Sequence, residues 1–260
     1  MTTKLHQKLQ LPEKWIDLNY HAERILKLKT SLAQTPLNRD LKEMLISTTV
    51  FGCTINYYAD EHGVVKKLAG ILLDSFSDYL LGEWQDLAAS GERQDEPPSR
   101  AWWRGNLNWK LGWDGCLAFG SALGEWDKLI RIASFFTDGV GGNLGQTDAN
   151  YCWDLIVAGV LTDRPDGELA IYREKIAAGT GRDKREQLLL AFLDAIRNGS
   201  DQELASTSSE YFKHYLKTDA KKKEVLAPLM FDGSFLVHFA KRAGRAVPIP
   251  EKIQDHLIAL

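Results

Sequence analysis

The feature that most constrains this chain is the spacing of its apolar residues, which fall at three- and four-residue steps and so mark one face of a helix again and again. Leu41, Met44, Leu45, Thr48, Phe51, Ile55 and Tyr58 trace such a face. Asn38 is placed to cap this helix and Gly63 to end it. Leu188, Leu189, Phe192, Leu193 and Ile196 repeat the pattern ahead of Gly199, and Ser200 with Glu203 then has the S-x-x-E form of a capping box that opens another helix. No stretch of five or more residues joins β-branched alternation to an Asn-Gly or Asp-Gly hairpin turn. The expected fold class is therefore all-α, an array of stacked antiparallel helical hairpins around one continuous core.

Internal echoes suggest how the hairpins succeed one another. Leu81-Gly82-Glu83-Trp84 is echoed by Leu123-Gly124-Glu125-Trp126, and Trp113-Asp114 by Trp153-Asp154, each at a distance of about 40 residues; Asp74, Asp194 and Asp232 fall near the same beat. Ser90 to Ser99 is the one break in composition, polar and containing Pro97 and Pro98, which cannot continue a helix. The chain accordingly divides into an N-terminal helical part (1–90), a polar Pro-containing loop (91–99) and a C-terminal helical-hairpin array (100–260), expected to form one structural unit. Gly139 to Gly145 is a second loop, with Thr147 or Asp148 as the cap of the helix carrying Tyr151 and Trp153. Val247-Pro248-Ile249-Pro250 is expected to close the last long helix before a short C-terminal one.

Charge and sequence content narrow the function classes. Thirty-two basic against 35 acidic residues give a formal charge of −3, so no basic excess points to nucleic acid or an anionic membrane, and a basic partner suits the surface better. The first residues hold no apolar run like a signal-peptide core, and the longest apolar stretch, Leu155 to Leu161, is far short of a bilayer span. A cytoplasmic location is expected. Cys53, Cys116 and Cys152 are odd in number and widely spaced, which suits reduced, buried small hydrophobes better than a disulfide framework or a thiolate metal site.

Recognisable catalytic chemistry is sparse. The glycine-rich loop lacks the Gly-Lys-Ser/Thr ending of a phosphate-binding loop. Asp60, Glu61 and His62 are adjacent, so on a helix they point apart and read as a solvated helix end. Ser234 and His238, four residues apart, form at most a minimal nucleophile and base without an orienting acid. Asp114, Glu125, Asp127, Asp148 and Asp154 provide acid–base chemistry only if the fold sets two of them across a cleft; Asp114 and Asp154 read as helix-start carboxylates that complement the dipole. No catalytic, cofactor-binding or metal-ligating residue, and no cofactor, is assigned.

Aromatic residues are the least ordinary feature: six of the eight Trp lie between positions 84 and 126. Trp102, Trp109 and Trp113 keep helical steps and read as core. Trp103 and Arg104 leave that stripe, and Trp and Arg are the types that most often anchor protein interfaces. Trp103, Arg104, Asn106 and Asn108, with Glu92, Asp95 and Glu96 of the acidic loop facing a basic partner, are the expected partner-binding residues.

The Trp109–Phe119 segment, Gly124-Glu125 before Leu129-Ile130, the Asp148-x-x-Tyr151 start, Leu189-x-x-Phe192-Leu193-x-Ala195-Ile196 with Gly199-x-Asp201, and the ending Phe235 to Gly244 together resemble the helical immunity proteins encoded beside bacterial polymorphic toxins, especially the immunity protein 49 family. The resemblance covers mainly 107–244 and rests on helix-and-turn patterns. It implies an antidote that binds a cognate protein toxin, the product of the adjacent gene, and occludes its active site, without nucleic acid or membrane as partner. Two other readings stay open: a helical-repeat scaffold with another protein partner, and a helical enzyme using paired carboxylates.

Overall fold

The computed structural model describes residues 18–36, 38–90, 107–135, 149–179, 181–222, 226 and 229–260. Among them are eleven α-helices and no strand, as the apolar spacing requires. In chain order they are α1 (Leu18–Gln34), α2 (Arg39–Tyr58), α3 (His62–Ser90), α4 (Leu107–Leu123), α5 (Trp126–Ser134), α6 (Ala149–Leu161), α7 (Asp166–Ala177), α8 (Lys184–Asn198), α9 (Asp201–Lys217), α10 (Phe231–Arg242) and α11 (Glu251–Gln254).

Successive helices pack side by side, α1 on α2, α2 on α3, α6 on α7 and α8 on α9, which is the antiparallel-hairpin arrangement expected of short connections. The central element is α4, which touches α2, α3, α5 and α10. Its glycines permit this. A β-carbon at Gly112 would lie 2.7 Å from Ile46 Cγ2 and 2.9 Å from the Phe76 ring, and one at Gly115 would lie 2.8 Å from Val50 Cγ2. Equally central is α6, where the run Cys152 to Leu161 is buried on every side. A single cluster of buried apolar side chains runs from Ile25 through Trp113, Trp153, Phe192 and Phe235 to Ile258. None of the three cysteines is in a disulfide, and all are buried within it. Among the described residues, no helix is long and apolar enough to cross a membrane.

Helix ends follow local chemistry, with some departures from the sequence expectation. Asn38 accepts a hydrogen bond from the Leu41 amide at 3.0 Å, and Ser200 with Glu203 forms the reciprocal capping box. However, α2 does not run on to Gly63. It stops at Tyr58, and Asp60 takes the left-handed conformation at φ 60°, so that the Glu61 amide bonds back to Asn56 O at 2.9 Å. Asp enters this region more readily than most residues because its short polar side chain can hydrogen-bond locally. Asp163, at φ 54°, ends α6 in the same way. Met44, expected on the buried face of α2, is 39% exposed, because the face turned to α3 and α4 is centred on Ile46, Val50 and Cys53. The last long helix ends at Arg242, with Gly244 at φ 72°, ahead of the Val247–Pro250 segment. Arg245 then donates to the Ala195 and Ile196 carbonyls at 2.5 and 3.0 Å, satisfying acceptors that the end of α8 leaves open.

The two LGEW echoes are not structurally equivalent. Residues 81–84 lie inside α3, whereas Gly124 at φ 75° makes the turn between α4 and α5. The Trp-Asp echo, by contrast, leads to the site described next.

Candidate functional site: a charged cavity

The helices with the most buried surroundings carry charge where they meet. Lys110 and Asp114 are four residues apart on α4, hence on one face, and the ammonium lies 2.5 Å from Asp114 Oδ1. The same ammonium reaches across to α6 and bonds Asp154 Oδ1 at 2.9 Å. A second centre lies beside it. Arg185, at the start of α8, is hydrogen-bonded to Asp232 of α10 and pairs with Glu186 at 3.0 Å. Its Nε is 3.9 Å from Asp219, in the short turn after α9. Asp232 also accepts from the Trp153 indole N–H at 2.9 Å, which ties the two centres together through α6.

Burial makes these groups unlike surface ion pairs. Asp154 and Asp232 are 0% and 2% exposed, and isolated charges so placed cost far more than neutral groups. Burial raises the Asp114 and Asp154 pKa values above the usual carboxylate range, more than Lys110 lowers them. For Asp232 the balance reverses: burial pushes its pKa up, yet Arg185 and Lys110 hold it below the ordinary value. Burial pulls Lys110 down, but Asp114 and Asp154 more than restore it and keep it charged. Asp154 Oδ2 is buried without a hydrogen-bond partner.

Beside the network lies a cavity of about 630 Å³, lined by Lys110, Asp114, Arg185 and Asp232 together with Tyr211, Tyr215, Leu229 and Met230. Its size is within the range of small-ligand pockets, roughly 300–1,000 Å³. Phe231 at its edge meets the Phe119 ring edge-on at 5.9 Å, fixing α10 against α4.

The expectation that Asp114 and Asp154 are helix-start carboxylates is corrected. They are the eighth and sixth residues of their helices, and they share one lysine. In each Trp-Asp pair the Trp enters the apolar core, with both Trp113 and Trp153 fully buried. Of the other candidate acids, Glu125 and Asp127 are exposed at the start of α5; Asp148 lies outside the described residues. Lys110, Arg185, Glu186, Asp219 and Asp232 carried no functional assignment from the sequence. The one signal for them was local: Lys110-x-x-x-Asp114 inside an apolar helix, and Asp154 and Asp232 bordered by apolar residues.

Ser234 and His238 do not act on each other. Ser234 Oγ donates to Met230 O at 2.7 Å and accepts from the Ile258 amide at 2.9 Å. His238 Nε2 bonds Ile258 O at 2.7 Å, and burial lowers its pKa, favouring the neutral ring. Both residues hold the C-terminal segment. Asp60, Glu61 and His62 are exposed and join α2 to α3. The His62 ring stacks on Tyr57 at 5.5 Å. No group of three or more His, Cys, Asp or Glu among the described residues is placed to hold a metal ion.

The expected partner-binding residues Glu92, Asp95, Glu96, Trp103, Arg104 and Asn106 lie outside the described residues, as do Trp102 and Thr147. Asn108 and Trp109 belong to the first turn of α4, but their side chains are outside the described part. Compared with protein-family models, with curated proteins and with solved structures, the chain gives no match.

Proposed function

We propose that this chain is a partner-binding protein, an immunity-type antidote that recognises and neutralises a cognate toxin by covering its active site. The observation that carries the reading is the state of the cavity's charges. Lys110 is engaged by two carboxylates, Arg185 by Asp232 and Glu186, and Lys222 by Asp219 at 2.6 Å. Such pre-paired groups, held by packed helices, give the cavity a fixed pattern of charge suited to recognition. The slight acidity of the whole chain suits a basic partner, and the helix-and-turn resemblance to immunity proteins points the same way.

The test is co-expression with the product of the adjacent gene. Growth should be rescued, and the two proteins should co-purify at equal stoichiometry. Trp103→Ala and Arg104→Ala should leave the thermal midpoint unchanged within about 0.5 kcal/mol of stability, while weakening the complex by around 2 kcal/mol. No complex with that product, or variants that unfold the chain, would count against the reading.

A second reading rests on one specific feature. Asp114 and Asp154 are paired carboxylates with raised pKa values beside a cavity, the pattern of an acid–base enzyme. Sub-stoichiometric protection that is lost in a folded Asp114→Asn variant would favour it over the antidote.

A further inference from the structure

The cavity has a sign. Its wall holds four carboxylates, Asp114, Glu186, Asp219 and Asp232, against three basic side chains, Lys110, Arg185 and Lys222. Each basic side chain already has a carboxylate oxygen within 3.0 Å. An entering anion would therefore have to break a pair and meet the remaining acids. An entering cation meets Glu186, Asp219 and Asp232, three carboxylates that share two lining bases, Arg185 and Lys222.

The remaining wall fits what accompanies a charge on a side chain. Leu226, Leu229 and Met230 supply apolar side chains, and Tyr211 and Tyr215 supply aromatic ones. Lys and Arg bury their aliphatic stems on such surface while the head finds acceptors, and aromatic rings attract cations. We propose that this cavity binds a cationic side chain, a guanidinium or ammonium on an aliphatic stem, presented by a basic protein partner. The inference deepens the antidote reading and rests on it for the identity of the partner, but the chemistry of the cavity stands separately.

A free probe keeps the two apart. Agmatine, a guanidinium on a four-carbon stem, is titrated into the full chain beside inorganic phosphate, with binding followed by amide chemical shifts and thermal midpoint. Agmatine should saturate, with shifts centred on Lys110, Asp114, Arg185 and Asp232, and phosphate should not bind there. Asp219→Asn and Glu186→Gln, two variants that leave the Lys110 centre intact, should each weaken agmatine binding by roughly fivefold, the effect of one partly screened charge. Phosphate binding in place of agmatine, no agmatine binding, or agmatine binding unchanged in both folded variants would overturn the proposal. If agmatine binds but the adjacent gene's product does not, the antidote reading fails and the cationic site stands. The reverse result removes only the site.

Discussion

At the scale of single residues, Lys110 is the side chain on which most depends. It is 21% exposed and serves two aspartates whose pKa values burial already raises. Replacing it as Lys110→Met keeps the stem and removes the charge, leaving two buried acids facing each other. Loss of one member of a buried pair costs roughly 3–5 kcal/mol, and that loss is expected near neutral pH. The sign with pH follows from linkage. An acid whose pKa is raised in the folded state binds its proton more tightly there than in the unfolded chain, so its contribution to stability declines as pH rises from about 4 through the raised value. Without Lys110 those pKa values rise further. The thermal midpoint of the variant should therefore fall more steeply than that of the parent as pH rises above about 4. A parallel pair of curves would mean that Asp114 and Asp154 do not depend on this lysine.

At the scale of elements, two positions test why the helices end and pack where they do. Asp60 ends α2 at φ 60°, a conformation that costs non-glycine residues roughly 1–2 kcal/mol. The Asp60→Gly change should raise stability by about 0.5–1 kcal/mol, less than the full strain because glycine also frees the unfolded chain. A denaturant midpoint unchanged or lowered would refute strain at this turn. Gly112 is the opposite case. It lies inside α4, where Ala is intrinsically better by about 1 kcal/mol, yet a methyl there meets Ile46 and the Phe76 ring at under 3 Å. Overpacking of this kind costs roughly 1–3 kcal/mol, so Gly112→Ala should be net destabilising in chemical denaturation. Sequence periodicity showed α4 as a helix, but it could not show that Gly112 was a point of helix contact and not a weak spot.

At the scale of the whole molecule, the C-terminal segment closes the array. Tyr57 of α2 donates to Leu257 O at 2.7 Å and accepts from the Ala259 amide at 3.0 Å. Met230 N bonds His256 O at 2.8 Å, and Leu257 and Ile258 are buried. The Tyr57 contacts join residues about 200 positions apart, and the Met230 contact ties the same segment to the start of α10, which walls the cavity. Removing residues 256–260 gives up two buried aliphatic side chains, each worth roughly 1.5–3 kcal/mol, and their hydrogen bonds. Urea unfolding should show a loss of at least about 3 kcal/mol, together with greater exchange of the Phe231–Arg242 amides. A tail that is dispensable for both would mean that α10 is held by α4 alone.

What the amino-acid order determined by itself is the local part of this structure. The helical state, the Asn38 cap, the Ser200–Glu203 box and the buried stripe of α8 all depend on residues within one or two turns of each other, where spacing and side-chain type set the outcome. The same locality explains the errors. Gly63 and Val247–Pro250 were plausible stops, but the left-handed turns at Asp60 and Gly244 end the two helices earlier. The charged cavity was not local at all. Asp114, Asp154, Arg185, Asp219 and Asp232 come from five places in the chain, and each alone resembles an ordinary cap or surface ion. Only the packing of α4, α6, α8 and α10 around a common core brings Asp114 and Asp154 to one lysine and Arg185 to Asp232, with Asp219 3.9 Å from Arg185, and removes the water that would otherwise screen them. That is why their pairing, their shifted pKa values and the sign of the cavity were decided by the tertiary structure.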